Sequence, residues 1–540
     1  MSFSGPTTPM IPLLPENAPF SPEQRAWLNG FFAGLFAPTD LVPAALPIPA
    51  DSFAALTKAE PAPQAEADDG APWHDPAMAF EERMKRAEGR PLRRRLMAAM
   101  AQQDCGQCGY MCETYADAIA SGAETRLNLC VPGEKITARA LKTLVEETPA
   151  APQAPAAKAM VPAQAPAQKP LGYARKMPVE VTFLSRRKLT KEGSEKAAYH
   201  IEFDLSESGL DYTVGDSFGI YPQNDPALVD AVLAAIHAPA DFPIMDRPLR
   251  DVLLSDVALG TAPDALFGLL SYVTGGERRQ KAKQLAKGED PDGDAMSLDV
   301  LAAFEKFSGV RPDPEALVEC LDPLQPRLYS ISSSPKAVPG RLSLTIDHVR
   351  YFVGERLRHG VASSFLAERL QEGAKLKAYV QRAHDFALPA RGDTPILMIG
   401  PGTGIAPFRA FLQERQAQGA TGGAWLFFGH QHRATDFFYE DEMEAFLKQG
   451  LLTNLSLAWS RDGDTKVYVQ DRLREAGWTI WEWIARGAHL YVCGDASRMA
   501  GDVEKAFIDI VAEHSRRDAE AARQFVQEMK KGGSYQTDVY

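Results

Sequence analysis

Apolar positions change their period along this chain, and the changes divide it into parts. In FSPEQRAWLNGFFAGLF, residues 20–36, they recur at helical spacing behind Ser21 as N-cap, with Glu23 and Gln24 in the first turn; a short amphipathic helix is predicted. Strict alternation in VEVTFLSRRKL and YHIEFDL, followed by VGDSFGIYP, predicts the first strands of an antiparallel β-barrel. From about residue 224 to 319 the spacing turns helical, as in ALVDAVLAAIHA and SLDVLAAFEKFSG. Strand patterns resume in RLYSISSSP and RLSLTIDHVRYF, so the helical block reads as an insertion into the barrel. Beyond residue 395, the short apolar runs ILMIG, AWLFFG, NLSLAWS and HLYVCG alternate with helical stretches, the pattern of a parallel sheet with crossover helices.

Two stretches carry too little apolar material to fold. Residues 38–71 are rich in Ala, Pro and Asp, and residues 147–172 contain ETPAAPQAPAAKAMVPAQAPAQKP, a semi-stiff tether. The expected organisation is an N-terminal helix in 1–37, a linker, a compact unit in 72–146, a second linker, a barrel domain in 173–390 and a Rossmann-like domain in 391–540. The fold class is therefore multidomain, α+β and α/β. The helix at 20–36 suits docking of a partner, assembly into a homo-oligomer, or packing on its own chain.

With 540 residues the chain is too long for one core. Its 45% hydrophobic and 24% charged residues are those of an ordinary soluble protein, and no stretch approaches the roughly 18 apolar residues of a membrane helix. The first twenty residues lack the basic start and apolar core of a signal peptide, so a cytoplasmic location is expected. A net charge of −13 argues against nucleic-acid partners. Four of six cysteines crowd into 26 residues, which in a reducing cytosol suits metal binding better than disulfides.

Two segments carry recognisable chemistry. After ILMIG, the loop Gly400, Pro401, Gly402, Thr403, Gly404 leads into a helix from about Ala406. Glycines allow close approach of a pyrophosphate, and a helix N-terminus offers N–H donors; the spacing departs from G-x-G-x-x-G, and a tight strand-to-helix turn is the alternative. The cysteines Cys105, Cys108, Cys112 and Cys130 follow C-x2-C-x3-C-x17-C. Three thiolates from a glycine-containing loop and a fourth beyond a helix can surround one cubane cluster. That helix would bring Met111, Tyr115, Ala118 and Ile119 to one face and end at Gly122. Structural zinc is the competing reading, supported by the single C-x2-C pair.

Together with RLYSISSSP, HGVASSFLAERL, LYVCGD and the final DVY, the glycine loop resembles the ferredoxin-NADP reductase module of diflavin reductases over about residues 173–540. The likeness is greatest to the flavoprotein subunits of NADPH-dependent sulfite reductases. It implies FAD and NADPH as cofactors. In the flavin motif it implies that Arg327 pairs with the pyrophosphate, Tyr329 packs on the isoalloxazine and Ser330 faces its N5, with Ser332 in the same motif. Gly360, Val361, Ala362 and Ser363 match the turn that offers backbone amides to the FAD pyrophosphate. Ser460, Arg461, Lys466 and Tyr468 match the grip on the adenosine 2′-phosphate, favouring NADPH over NADH. Cys493 would sit beside the nicotinamide with Asp495 and Asp538 as neighbouring acids, and Tyr540 would stack over the flavin and yield to nicotinamide. Without the resemblance these residues read as a serine-rich turn, surface charge, a small buried cysteine and a frayed end.

Residues 1–172 show no strand, Thr-rich loop and helix of the flavodoxin kind, so no FMN is expected, a departure from diflavin reductases. The cysteine segment is similar to small four-cysteine iron–sulfur domains of bacterial electron-transport subunits. A 4Fe–4S cluster is thus expected as the one-electron outlet, taking electrons from FAD after hydride transfer from NADPH. The acceptor implied by the resemblance is a siroheme sulfite reductase subunit, in the assimilatory reduction of sulfite to sulfide. Another heme or nitrite-reducing acceptor, and a non-catalytic scaffold bearing zinc, stay open.

Overall fold

The computed structural model describes residues 71–147 and 170–540, except positions 77, 354, 384 and 497. The expected helix at 20–36, residues 38–70 of the first expected linker and residues 148–169 of the second lie outside the described residues.

The cysteine-bearing unit is built from helices Phe80–Arg86, Leu92–Ala99, Cys112–Ala120 and Glu134–Glu147. The third begins on a cysteine because Met111 donates its N–H to Thr114 Oγ1 at 2.9 Å, and it stops where Gly122 adopts φ +74°. Leu96, Met100, Tyr115, Leu129 and Leu141, all nearly inaccessible, form its core. Cys112 is buried in that core, and Cys108 and Cys130 pack against it.

The barrel domain is a six-stranded antiparallel sheet. Its strands are β1 (Val179–Lys188), β2 (Ala198–Asp204), β3 (Ser217–Ile220), β6 (Arg327–Ser330), β7 (Arg341–Asp347) and β10 (Lys375–Gln381), in the order β6-β3-β10-β1-β2-β7. Directly beyond β6, Ile331 bridges Leu344 of β7, so the two outer strands meet. Alternation sends Val181 and Phe183 of β1 and Ile201 and Phe203 of β2 inward, onto Phe218, Leu344 and Val380. Each such burial is worth about 1.5–3 kcal/mol. Between β3 and β6 lie six α-helices, from Pro226–Ile236 to Pro314–Cys320, a 3₁₀ turn at Ala295–Ser297, and the short ribbon β4 (Pro243–Ile244) with β5 (Arg247–Pro248). Asp225, Asp299 and Asp313 cap three of these helices, accepting from the N–H groups of Ala227, Ala302 and Ala316 at 2.9, 2.7 and 3.0 Å. The block has its own core around Leu253, Leu266, Phe267 and Phe304. A further ribbon, β8 (Arg350–Val353) with β9 (Arg356–His359), leads into the turn Val361–Ser364, which continues as a π-turn through Arg369.

The C-terminal sheet is entirely parallel: β11 (Ile396–Ile399), β12 (Ala424–His430), β13 (Asn454–Trp459), β14 (His489–Gly494) and β15 (Tyr535–Val539), in the order β13-β12-β11-β14-β15. Buried on both faces, its strands are continuous apolar runs: Ile396 and Met398 enter one core, Leu397 and Ile399 the other. The chain reverses its direction of travel across the sheet between β11 and β14, and such a switch point opens a crevice at the carboxyl ends of the strands. Among the described residues no helix is long and apolar enough to cross a membrane.

Candidate active site

The crevice at the switch point is lined by the Gly400–Gly404 loop. A Cβ on Gly400 would lie 2.4 Å from Gly404 O and 2.6 Å from the Phe408 ring; one on Gly404 would lie 2.1 Å from the carbonyl of Cys493. Gly402 adopts φ +58°, opening the 3₁₀ turn Gly402–Ile405 that feeds helix Ala406–Gln418. The glycines are thus required by backbone-to-backbone packing of β11 against the end of β14. Thr403 Oγ1 lies 2.7 Å from the hydroxyl of Tyr540, which is half-exposed.

Three side chains converge where the two sheets meet. Ser330, at the end of β6, donates its hydroxyl to Asp538 Oδ2 at 2.5 Å. Cys493 directs its thiol at the same oxygen from 3.7 Å, because Cys493 and Asp538 are in register on the neighbouring parallel strands β14 and β15. Burial pushes the Asp538 carboxyl above the usual carboxylate range against the pull of those two donors. Burial, reinforced by the Asp538 charge, also pushes the Cys493 thiol well up, so at neutral pH it is a thiol and not a thiolate. Tyr329, next to Ser330, is pushed up to about 12 by burial and keeps its proton.

The remaining residues singled out from the sequence have varied surroundings. Asp495 is engaged as a helix cap, accepting from the N–H groups of Arg498 at 2.8 Å and Met499 at 3.3 Å. Ser332 is fully buried, with its hydroxyl 2.9 Å from Ser343 Oγ and its carbonyl accepting from Arg409 at 2.7 Å; its side chain serves sheet closure. Arg327 is exposed at the outer end of β6. Gly360 caps the turn holding Val361, Ala362 and Ser363, and a Cβ there would lie 2.7 Å from Ser363 Oγ and 2.9 Å from Val349 Cβ. Ser460 donates its N–H to the His430 carbonyl at 2.9 Å, while Arg461 is paired at 2.5 Å with Glu195 on the β1–β2 connection. Lys466 and Tyr468 are exposed nearby, Tyr468 beginning helix Val469–Glu475. Two further residues belong to this region. His430 ends β12, its ring 3.8 Å from where a Gly402 Cβ would sit, and Arg409 is sandwiched between the Ser332 carbonyl, Glu442 at 2.7 Å and the face of Tyr439. Only strand register brings His430 there, and no local motif marks it.

All four clustered cysteines line one small pocket, with Met100, Ala101, Tyr110, Tyr115, Val131 and Pro132. Their loop is shaped by Gly106 at φ +63° and Gly109 at φ +94°, and is tied down by Asp104, which accepts from Cys112 N–H at 2.7 Å and pairs with His74 at 2.8 Å. Burial raises the thiols, Cys105 to about 11. Four thiols on one small apolar pocket are a donor set that suits a metal centre held by thiolates.

This loop is seated on the barrel. Gln381 at the end of β10 donates to Cys105 O at 3.0 Å, Gln107 donates to Pro326 O at 3.2 Å, and Arg175 donates to Gln107 O at 2.9 Å. Gln381 pairs with Ser217, and Ser217 pairs with Ser330, so the three share one row and one face across β10, β3 and β6. Two strand spacings, about 10 Å, separate the ends of that row.

The oxidoreductase NAD-binding domain family matches residues 398–505, and the FAD binding domain family matches residues 173–251 and 261–365. Among curated proteins, the chain is 40% identical over 399 residues to the sulfite reductase [NADPH] flavoprotein alpha-component of Cronobacter sakazakii, covering 71% of this chain and 66% of that protein. The protein of the same description from Klebsiella pneumoniae is 42% identical over 405 residues, with the same coverage. That of Escherichia coli O157:H7 is 43% identical over 378 residues, covering 68% of this chain and 62% of that one. The chain thus spans just under two thirds of the length of the relatives it matches.

Proposed function

We propose that this chain, a homologue of sulfite reductase flavoprotein alpha-components with FAD- and NAD-binding domains, oxidises NADPH and delivers electrons singly through its four-cysteine unit to a siroheme sulfite reductase subunit in the cytoplasm. The observation that carries the reading is the meeting of Ser330 and Cys493 on the Asp538 carboxyl, at one end of a side-chain row whose other end holds the Cys105 loop. When bound, FAD and NADPH supply a two-electron hydride couple and a 4Fe–4S cluster supplies a one-electron couple.

The chain's own residues divide the work. Tyr329 offers a ring face and Arg327 a guanidinium to the flavin, and the backbone at Gly360, Val361, Ala362 and Ser363 can hold its pyrophosphate. Gly400, Gly402 and Gly404 leave a floor free of side chains for the nicotinamide dinucleotide, the cradle that a Cβ would fill, with Thr403 beside it. Arg461, with Ser460, Lys466 and Tyr468, can take a 2′-phosphate once its contact with Glu195 opens. Tyr540, bound to Thr403, covers the crevice and must move for a nicotinamide ring to enter. Asp538, raised by burial, can hold or pass a proton between Ser330 and Cys493 without placing a full charge beside the ring. Cys105, Cys108, Cys112 and Cys130 would ligate the cluster, and no FMN site is invoked. Reduction of a different heme or nitrite-reducing acceptor would use the same residues.

Anaerobic analysis of iron, acid-labile sulfide, zinc and flavin, with absorbance followed during NADPH addition, tests the reading. About four irons and one FAD per chain are expected, with bleaching by NADPH. Zinc with FAD would overturn the proposed outlet, and a colourless zinc protein would favour the scaffold reading.

A further inference from the structure

We propose that His348, His359 and Glu368 form a binding site for a divalent transition metal of the zinc type on the barrel domain, separate from the four cysteines and independent of the functional reading above. The three come from three consecutive turns of the chain: His348 follows β7, His359 ends β9, and Glu368 lies in the π-turn Phe365–Arg369. One ligand atom from each falls within 4.8 Å of the others, and among the described residues this is the one His/Cys/Asp/Glu group of three so disposed. The imidazoles are stacked with centroids 5.8 Å apart and planes 30° from parallel, and His348 Nδ1 is 3.5 Å from Glu368 Oε1.

Second, His348 is oriented as a ligand would be. Its side chain is 1% exposed, and its Nε2 lies 2.9 Å from Ser364 Oγ. Donation of Nε2–H to that hydroxyl would leave the lone pair on Nδ1, which faces Glu368. A ligating histidine ordinarily has its other ring nitrogen fixed this way. His359 and Glu368 are exposed at the rim, so both can close on an ion by rotamer changes alone, and water can complete the shell. Two imidazoles and one carboxylate are a donor set suited to zinc, not to calcium or magnesium. An ion there would tie the base of the β8–β9 ribbon to the turn that follows Gly360.

The test uses the full-length protein as isolated, equilibrated with Zn²⁺, freed of loose metal by gel filtration, and analysed for zinc per chain and by zinc-edge X-ray absorption. One equivalent beyond the untreated protein is expected, in a shell of nitrogen and oxygen at about 2.0–2.1 Å. His359→Ala and Glu368→Gln, changes at exposed positions, should lose it, and Ser364→Ala should weaken it by about 10- to 100-fold. Bound Zn²⁺ should also slow tryptic cleavage at Arg350, Arg356 and Arg358 in the ribbon. No added zinc, added zinc retained in both rim variants, or a shell dominated by sulfur at about 2.3 Å would each overturn the proposal.

Discussion

The side-chain amide of Gln381 donates to the carbonyl of Cys105 at 3.0 Å, joining the last residue of a barrel strand to the first of four clustered cysteines across 276 positions of sequence. A Cβ on Gly106 would lie 2.2 Å from Gln381 Nε2 and would push this amide aside, and the Gly106 φ of +63° is a glycine conformation. Gly106→Val should therefore unseat the cysteine loop from the barrel. In stopped-flow experiments NADPH should still bleach the flavin at an unchanged rate, while transfer to an external one-electron acceptor falls at least tenfold. Cys112→Ser should show the same split. Full acceptor activity in the Cys112 variant would remove the cysteines from the route.

The shared carboxyl at Asp538 makes a different prediction. Loss of a hydrogen bond to a buried charged or proton-sharing group costs about 1.5–3 kcal/mol, or roughly 10- to 100-fold in rate if felt at the reacting centre. Asp538→Asn and Cys493→Ser should slow flavin reduction by NADPH by that order, with little change in acceptor-side transfer. Rates unchanged in both variants would reduce the cluster to packing.

Stability against pH probes the same group. Because burial raises the folded-state pKa of Asp538, the native state there binds the proton more tightly than the unfolded chain does. Stability then falls as pH rises from about 4, the unfolded value, to the folded one, the reverse of an ordinary paired carboxylate. Asp538→Asn should remove that slope, as measured by urea unfolding at a series of pH values.

A surface ion pair gives a test of the dinucleotide grip. Arg461 is held by Glu195 at 2.5 Å, with both side chains substantially exposed, and such pairs are worth about 0–1 kcal/mol. Glu195→Gln should free Arg461 and lower KM for NADPH by up to about fivefold without altering kcat. Arg461→Ala should raise KM for NADPH at least tenfold and leave that for NADH nearly unchanged. Equal effects on both dinucleotides would place the 2′-phosphate elsewhere.

His74 anchors the cysteine loop through Asp104. The hydrogen bond to Asp104 raises the imidazole pKa above its ordinary value, opposed by burial. Its contribution to the loop is fully present below about pH 6.5, the unfolded value, and is lost as pH rises through the elevated folded value. Amide exchange in the loop around Cys105 and Cys112 should accelerate through that window beyond the intrinsic pH effect, and His74→Gln should flatten the response.

Much of the architecture could be read locally because its determinants are local. Alternation in residues 179–188 turns Val181 and Phe183 inward whatever lies elsewhere, and an aspartate before a helix, as at Asp225, marks its start by capping N–H groups within three residues. The glycines of the 400–404 loop announced a tight strand-to-helix turn, and the cysteine spacing announced four convergent thiols. The surroundings of other motif residues are set by the tertiary structure. The Asp495 carboxylate caps a helix, and Ser332 lies wholly inside the sheet closure, because a motif names neighbours in sequence and not the direction of a side chain.

What the sequence by itself determined is the succession of elements, the apolar faces they must bury and the residues with reactive chemistry, since each depends on period, caps and turns a few residues long. Only the tertiary structure decided who meets whom. Ser330 reaches Asp538 across 208 positions, Arg461 reaches Glu195 across 266, and His348 lies beside Glu368, because closure of an antiparallel sheet and the order of a parallel one set these contacts. Register and strand order come from the mutual fit of whole cores, and no short stretch of sequence contains them.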